Sequence, residues 1–113
     1  MKKVIVACTL VSLLFAVPAF AATPAGGDAV KELGKINGVA LACRQQTTMN
    51  RITQELEKTL PKTADITYDQ IFKDAMQQSL IQHQKTNAAC PNETAVKPQI
   101  DALFKQLRQA RGN

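Results

Sequence analysis

The feature that most constrains the fold of this 113-residue chain is a pair of cysteines, Cys43 and Cys90, which lie 47 positions apart. The remaining cysteine, Cys8, falls within a predicted export signal, so only this pair would remain in the mature protein. Two lone cysteines in a small exported domain are expected to form a disulfide. The sequence therefore predicts one disulfide, Cys43–Cys90, that ties the first helix of the domain to the end of its second.

Two other interpretations of the cysteine pair are less favoured. A redox-active dithiol usually has the Cys-x-x-Cys spacing, which this chain lacks. A structural metal site usually takes four ligands, and the chain has one histidine besides the two cysteines.

The N-terminus has the three-part pattern of a secretory signal peptide. Residues 1–3 carry two lysines, residues 4–17 are uncharged and mostly apolar, and residues 19–21 form a small-x-small cleavage site. The apolar run is shorter than the ~20 residues that a spanning helix needs. We therefore expect cleavage after Ala21, a periplasmic or secreted location, and no stable membrane insertion afterwards. Cys8 is interpreted as an apolar residue of the leader.

Charge argues against a nucleic-acid partner. Removing residues 1–21 would leave 92 residues with 12 basic and 9 acidic side chains, a net charge of +3 instead of the +5 of the whole chain. Basic and acidic residues also alternate along the sequence, whereas nucleic-acid binding usually needs a dense basic stripe.

Periodicity predicts an all-α fold with three to four helices and one disulfide. Residues 22–28 are small and are expected to form a flexible linker. Apolar residues then recur at three- and four-residue steps over residues 29–113, without the alternation of β-strands. The division is thus a signal peptide at 1–21, a linker at 22–28 and a helical domain at 29–113.

The first helix is expected to begin after Asp28 as N-cap. Gly34 and Gly38 weaken its first half by roughly 1 kcal/mol each relative to alanine, although Gly-x-x-x-Gly spacing also lets another backbone come close. The firm helix is therefore predicted over residues 39–60, with Pro61 ending it.

Two further helices have local start signals. Thr67 and Gln70 fit a capping box, so the second helix is expected to begin there and to end near residues 87–89. The third is predicted to start at Pro98, because proline is well tolerated in the first turn of a helix.

The sequence contains no catalytic motif and no phosphate-binding glycine loop, so the chain is expected not to be an enzyme and to need no cofactor. A soft-metal site could be built from Met49, Met76 and His83. A lone histidine among glutamines is more often a surface residue, however, and no metal ligand is predicted.

Glutamine is the abundant polar residue, and it supplies both donors and acceptors for a neutral binding surface. We therefore expect a protein-binding adaptor or accessory module, whose partner is another exported protein or a second copy. In mature size, helical content and two distant cysteines, the chain also resembles the periplasmic acid-stress chaperones of the HdeA type, which implies chaperone function as an alternative. A secreted inhibitor or effector and a metal-binding protein are further alternatives. The glutamines are Gln45, Gln46, Gln54, Gln70, Gln77, Gln78, Gln82, Gln84, Gln99, Gln106 and Gln109.

Overall fold

The computed structural model describes residues 24–60 and 66–112, which form four α-helices and no strand. The predicted all-α fold is confirmed for this part of the chain. The predicted signal peptide lies outside the described residues. The helices are α1 Gly27–Ala42, α2 Gln46–Thr59, α3 Ile66–Thr86 and α4 Glu93–Arg111.

Helices α1 and α3 run side by side in the same direction. Near their N-terminal ends, the Tyr68 hydroxyl donates a hydrogen bond to the Ala25 carbonyl over 2.6 Å. Near their C-terminal ends, Cys43 Sγ lies 3.7 Å from His83 Nε2. Among the described helices, α1 is central, because it packs against each of the other three.

Helices α2 and α4 also run parallel to each other. Thr48 contacts Glu93 near their N-terminal ends, and Glu55 lies 3.7 Å from Arg108 further along. Both run antiparallel to α1, since the start of α1 lies against Leu107 near the end of α4. The chain therefore passes up and down through the bundle, and the α1–α2 turn meets the α3–α4 connection at one end.

The core lies between α1, α2 and α4, and the first turns of α3 close it. Helix α4 supplies one side of this core, because Ile100, Phe104 and Leu107 are buried and Leu103 packs against the same cluster. The largest fully buried side chains come from three helices: Val30, Leu33, Ile52, Ile100 and Leu107.

Helix α1 begins earlier than predicted. Its N-cap is Gly26, not Asp28, and Gly27 is its first residue. Gly26 has a φ of +81°, which glycine adopts at little cost, and a Cβ there would lie 2.6 Å from Cδ1 of Leu107. The end of the predicted 22–28 linker is therefore part of the packed structure.

The predicted continuous helix over residues 39–60 is wrong, because the chain turns between α1 and α2. Arg44 adopts a left-handed conformation with a φ of +57°. The backbone N–H of Gln45 donates to the Ala40 carbonyl over 2.8 Å, and that of Arg44 donates to the Leu41 carbonyl over 3.2 Å. This is the Schellman pattern that ends helices. Glycine usually occupies the left-handed position, so arginine there gave no sequence signal.

Replacing Arg44 with glycine should stabilise the protein by about 0.5–1 kcal/mol, because glycine removes the left-handed cost of roughly 1–2 kcal/mol but is more flexible when unfolded. Urea unfolding of the Arg44→Gly variant measures the change. In a continuous helix the same substitution would destabilise by about 1 kcal/mol. A loss of stability would therefore contradict the turn.

The other helix starts also differ from prediction. Helix α3 begins at Ile66, so Thr67 lies inside its first turn. Helix α4 begins at Glu93 and contains Pro98, which had been predicted as its start. The Asn92 side chain accepts a hydrogen bond from the Thr94 N–H over 2.8 Å and so caps the helix before the proline.

Candidate functional site

The two cysteines meet at the end of the bundle where both connections lie. Cys43 is the C-cap of α1, and Cys90 lies in the connection between α3 and α4. The structure places the pair at disulfide distance, with their Cα atoms 5.8 Å apart. Since the first predicted helix is two helices, Cys90 follows the third helix of the domain and not the second.

Hydrogen bonds from the start of α2 hold the α3–α4 connection in place. Gln45 Nε2 donates to the Pro91 carbonyl over 2.8 Å. The backbone N–H and the hydroxyl of Thr48 both donate to Glu93 Oε2, over 3.1 and 2.7 Å. Cys90 is therefore flanked by residues that are bonded to the α1–α2 side independently of its sulfur.

His83, near the end of α3, lies beside the cysteine pair. One ligand atom from each of Cys43, His83 and Cys90 lies within 4.8 Å of the other two. We call these three residues the Cys–His cluster. Sequence reasoning had instead combined His83 with two methionines, one of which, Met76, accepts a hydrogen bond from Asn37 Nδ2 over 3.0 Å. No sequence spacing indicated the cluster, because its members come from three separate segments.

The close approach of α1 and α3 brings His83 to Cys43. A Cβ on Gly34 would lie 2.6 Å from the Phe72 carbonyl oxygen, and a Cβ on Gly38 would lie still closer to that of Met76. Ser79 Oγ also donates to the Lys35 carbonyl over 2.7 Å at the level of the glycine contacts. The two glycines are therefore buried contact points, as Gly-x-x-x-Gly spacing allows, and α1 is helical across both although the firm helix was predicted only from residue 39.

The side of α3 that faces away from α1 carries a stripe of isoleucines and glutamines, with the exposed Lys73 and Asp74 on the same side. Only Tyr68 and Ala75 of this 21-residue helix are buried. The stripe follows the helical repeat, and its two isoleucines are 69% and 50% exposed at positions 66 and 81. We call it the glutamine stripe, and its exposed members are Ile66, Gln70, Gln77, Ile81 and Gln84.

An open groove of about 430 Å³ runs between α1 and α3 and reaches the Cys–His cluster. Its lining includes apolar side chains and the edge of His83. The groove therefore leaves space next to the imidazole. Lining residues are Lys35, Val39, Ala75, Gln78, Ser79, Gln82, His83, Thr86 and Ala88.

A larger cleft of about 570 Å³ between α2 and α4 is lined mainly by polar and charged side chains. Arg51 pairs with Asp101 over 2.6 Å, and Arg108 with Glu55 over 3.7 Å. All four side chains are well exposed to solvent, where such pairs contribute little to stability. The charges of these four side chains therefore balance in pairs. Neither predicted disulfide cysteine lines this cleft.

In comparisons with known proteins, no family model, curated protein or solved structure matches this chain. None of the four described helices is both long and apolar enough to cross a membrane. The molecule is thus defined by its fold and sites: a small helical domain with a cysteine pair, an adjacent histidine and an exposed glutamine stripe.

Proposed function

We propose that the protein acts after export as a non-catalytic binding module, which docks its glutamine stripe on another exported protein. The observation that carries the proposal is the stripe itself. Export rests on the sequence pattern of residues 1–21.

Two physical features of the stripe favour protein binding. Ile66 and Ile81 are two large apolar side chains exposed about 22 Å apart, at 1.5 Å per helical residue. The glutamines between and beside them offer both donors and acceptors, and Lys73 and Asp74, exposed on the same side, add one charge of each sign. A partner surface with two apolar pockets and hydrogen-bonding groups between them would fit, as in helix-in-groove recognition.

Photo-crosslinking in cells that export the full chain tests this proposal. A benzophenone amino acid at Gln77 should give one discrete adduct with another exported protein, and Ile81→Glu should reduce its yield at least about tenfold by placing a charge in an apolar contact. Leu41→Glu is the matched control, because Leu41 is 40% exposed but lies on α1. Intact mass should also show that the exported chain begins at Ala22.

Other outcomes point elsewhere. The same adduct from a probe at Gln109, on the exposed surface of α4, would mean that the stripe is not the docking site. An adduct between two copies would assign the stripe to self-association. Many adducts that appear only near pH 2–3 would favour the acid-stress chaperone alternative. A partner whose activity falls on binding would indicate an inhibitor or effector.

A further inference from the structure

The Cys–His cluster has a second chemical state that the disulfide conceals. We propose that Cys43, Cys90 and His83 form a redox-gated site for one Zn²⁺ ion, which binds when the cysteines are reduced and is excluded when they are joined. This inference does not depend on the docking role of the glutamine stripe.

The ligand geometry is close to what zinc requires. Zn–S bonds of about 2.3 Å and Zn–N bonds of 2.0–2.1 Å place tetrahedral ligand atoms roughly 3.5–3.8 Å apart. Cys43 Sγ and His83 Nε2 are already separated by 3.7 Å, and all three ligand atoms lie within 4.8 Å of one another. Reduction needs only to let the two sulfurs separate, and Cys90 lies in an exposed connection that can make this movement.

The ligand set matches a known type of open zinc site. Two cysteines, one histidine and a water molecule coordinate zinc in sites that keep one exchangeable position. His83 lines the groove between α1 and α3, so the fourth position can be filled from solvent. Thiolate and imidazole ligands also select against hard cations such as Mg²⁺ and Ca²⁺.

The surrounding structure would keep the ligands together after reduction. The bond from Gln45 to the Pro91 carbonyl holds the residue next to Cys90. The bond from Ser79 to the Lys35 carbonyl holds α3 against α1 one turn before His83. Neither contact involves sulfur, so reduction itself breaks neither of them.

The two states exclude each other because a disulfide sulfur has no thiolate to offer. A dithiol reductant would break the S–S bond, supply two electrons and two protons to Cys43 and Cys90, and become a disulfide itself. Zn²⁺ would then replace the two thiol protons, which pass to solvent, while neutral His83 binds through Nε2. Reoxidation by a disulfide oxidant reverses both steps and releases the ion.

Zinc binding by the mature protein tests the proposal under anaerobic conditions. Competition with a chromophoric chelator should show one Zn²⁺ per reduced chain and none per oxidised chain. His83→Ala should weaken binding at least about tenfold, because loss of even an outer-shell partner costs roughly 10–100-fold in affinity. Gln106→Ala, an exposed substitution on α4, is the matched control and should leave the affinity unchanged.

Far-UV circular dichroism covers the case in which reduction unfolds the chain. Adding Zn²⁺ to the reduced protein should then restore its helical signal, and the Cys43→Ser, Cys90→Ser double variant should show no restoration. The proposal is overturned if the reduced protein neither binds Zn²⁺ nor refolds with it. It is also overturned if His83→Ala binds within twofold of the unaltered protein, or if the oxidised protein binds equally well.

Discussion

Replacing both Gly34 and Gly38 with alanine should destabilise the protein by about 3 kcal/mol or more, because the added methyl groups force α1 and α3 apart. At Gly34 the new Cβ would lie 2.6 Å from the Phe72 carbonyl oxygen and 2.9 Å from the Ala75 Cβ. At Gly38 it would meet the Met76 carbonyl oxygen, and it would lie 2.8 Å from the Ser79 Cβ. Backbone atoms cannot rotate away as a flexible side chain can, so relief requires movement of a whole helix.

Urea unfolding followed by circular dichroism measures this effect, with Lys31→Ala as the control. Lys31 is exposed on the same helix, and its replacement should change stability by no more than about 0.5 kcal/mol. Helix propensity alone makes the opposite prediction for the glycines, namely stabilisation by roughly 1 kcal/mol for each alanine. A double variant as stable as the original, or more stable, would rule out close backbone packing of α1 on α3.

The same pair of glycines shows which part of the fold the sequence could predict. Apolar periodicity correctly indicated helices, and residues that follow it, such as Leu33, Ile52 and Phe104, are buried in the core. It could not decide whether Gly34 and Gly38 mark a weak helix or a close contact. Which of the two interpretations holds depends on whether another helix packs against the glycines, and tertiary structure decides this.

The turn at Arg44 and the cap at Asn92 were missed for a related reason. Left-handed arginine and a proline inside α4 both contradict local preference, yet the surrounding contacts support them. Glu93 at the start of α4 accepts two hydrogen bonds from Thr48, a residue 45 positions earlier. Local sequence rules do not include such distant partners.

The sequence could predict the cysteine pair of the Cys–His cluster but not the position of its histidine. Two lone cysteines in a chain whose sequence predicts export are expected to pair, because disulfides are the default in an oxidising compartment. Placing His83 beside Cys43 requires the parallel alignment of α1 and α3, which fixes residues 40 positions apart at the same level. The glutamine stripe was visible in composition, but its exposure depends on α3 covering only the side that faces α1 and, near Tyr68, Arg111 of α4.

Removing both cysteines should lower the free energy of unfolding by about 4 kcal/mol, which is the loop-entropy value for a crosslink between residues 47 positions apart. For a domain of this size the loss corresponds to a fall in melting temperature of roughly 15–30 °C. Since total stabilities of small domains are about 5–15 kcal/mol, a domain at the lower end would keep only about 1 kcal/mol, and the double variant Cys43→Ala, Cys90→Ala should then be partly unfolded at physiological temperature.

Reducing the unaltered protein removes the crosslink but keeps both cysteine side chains. The comparison therefore separates the effect of the covalent bond from the effect of the substitutions. Metal-free reduced protein should unfold at the same denaturant concentration as the double-alanine variant, because both lack the covalent loop. If the unaltered protein titrates as two accessible thiols while remaining fully folded, or if the variant loses less than about 1 kcal/mol, the cysteines do not crosslink the chain. Zinc should distinguish the reduced protein from the double-alanine variant. It should stabilise the reduced protein by binding its two thiolates, whereas the variant offers no thiolate.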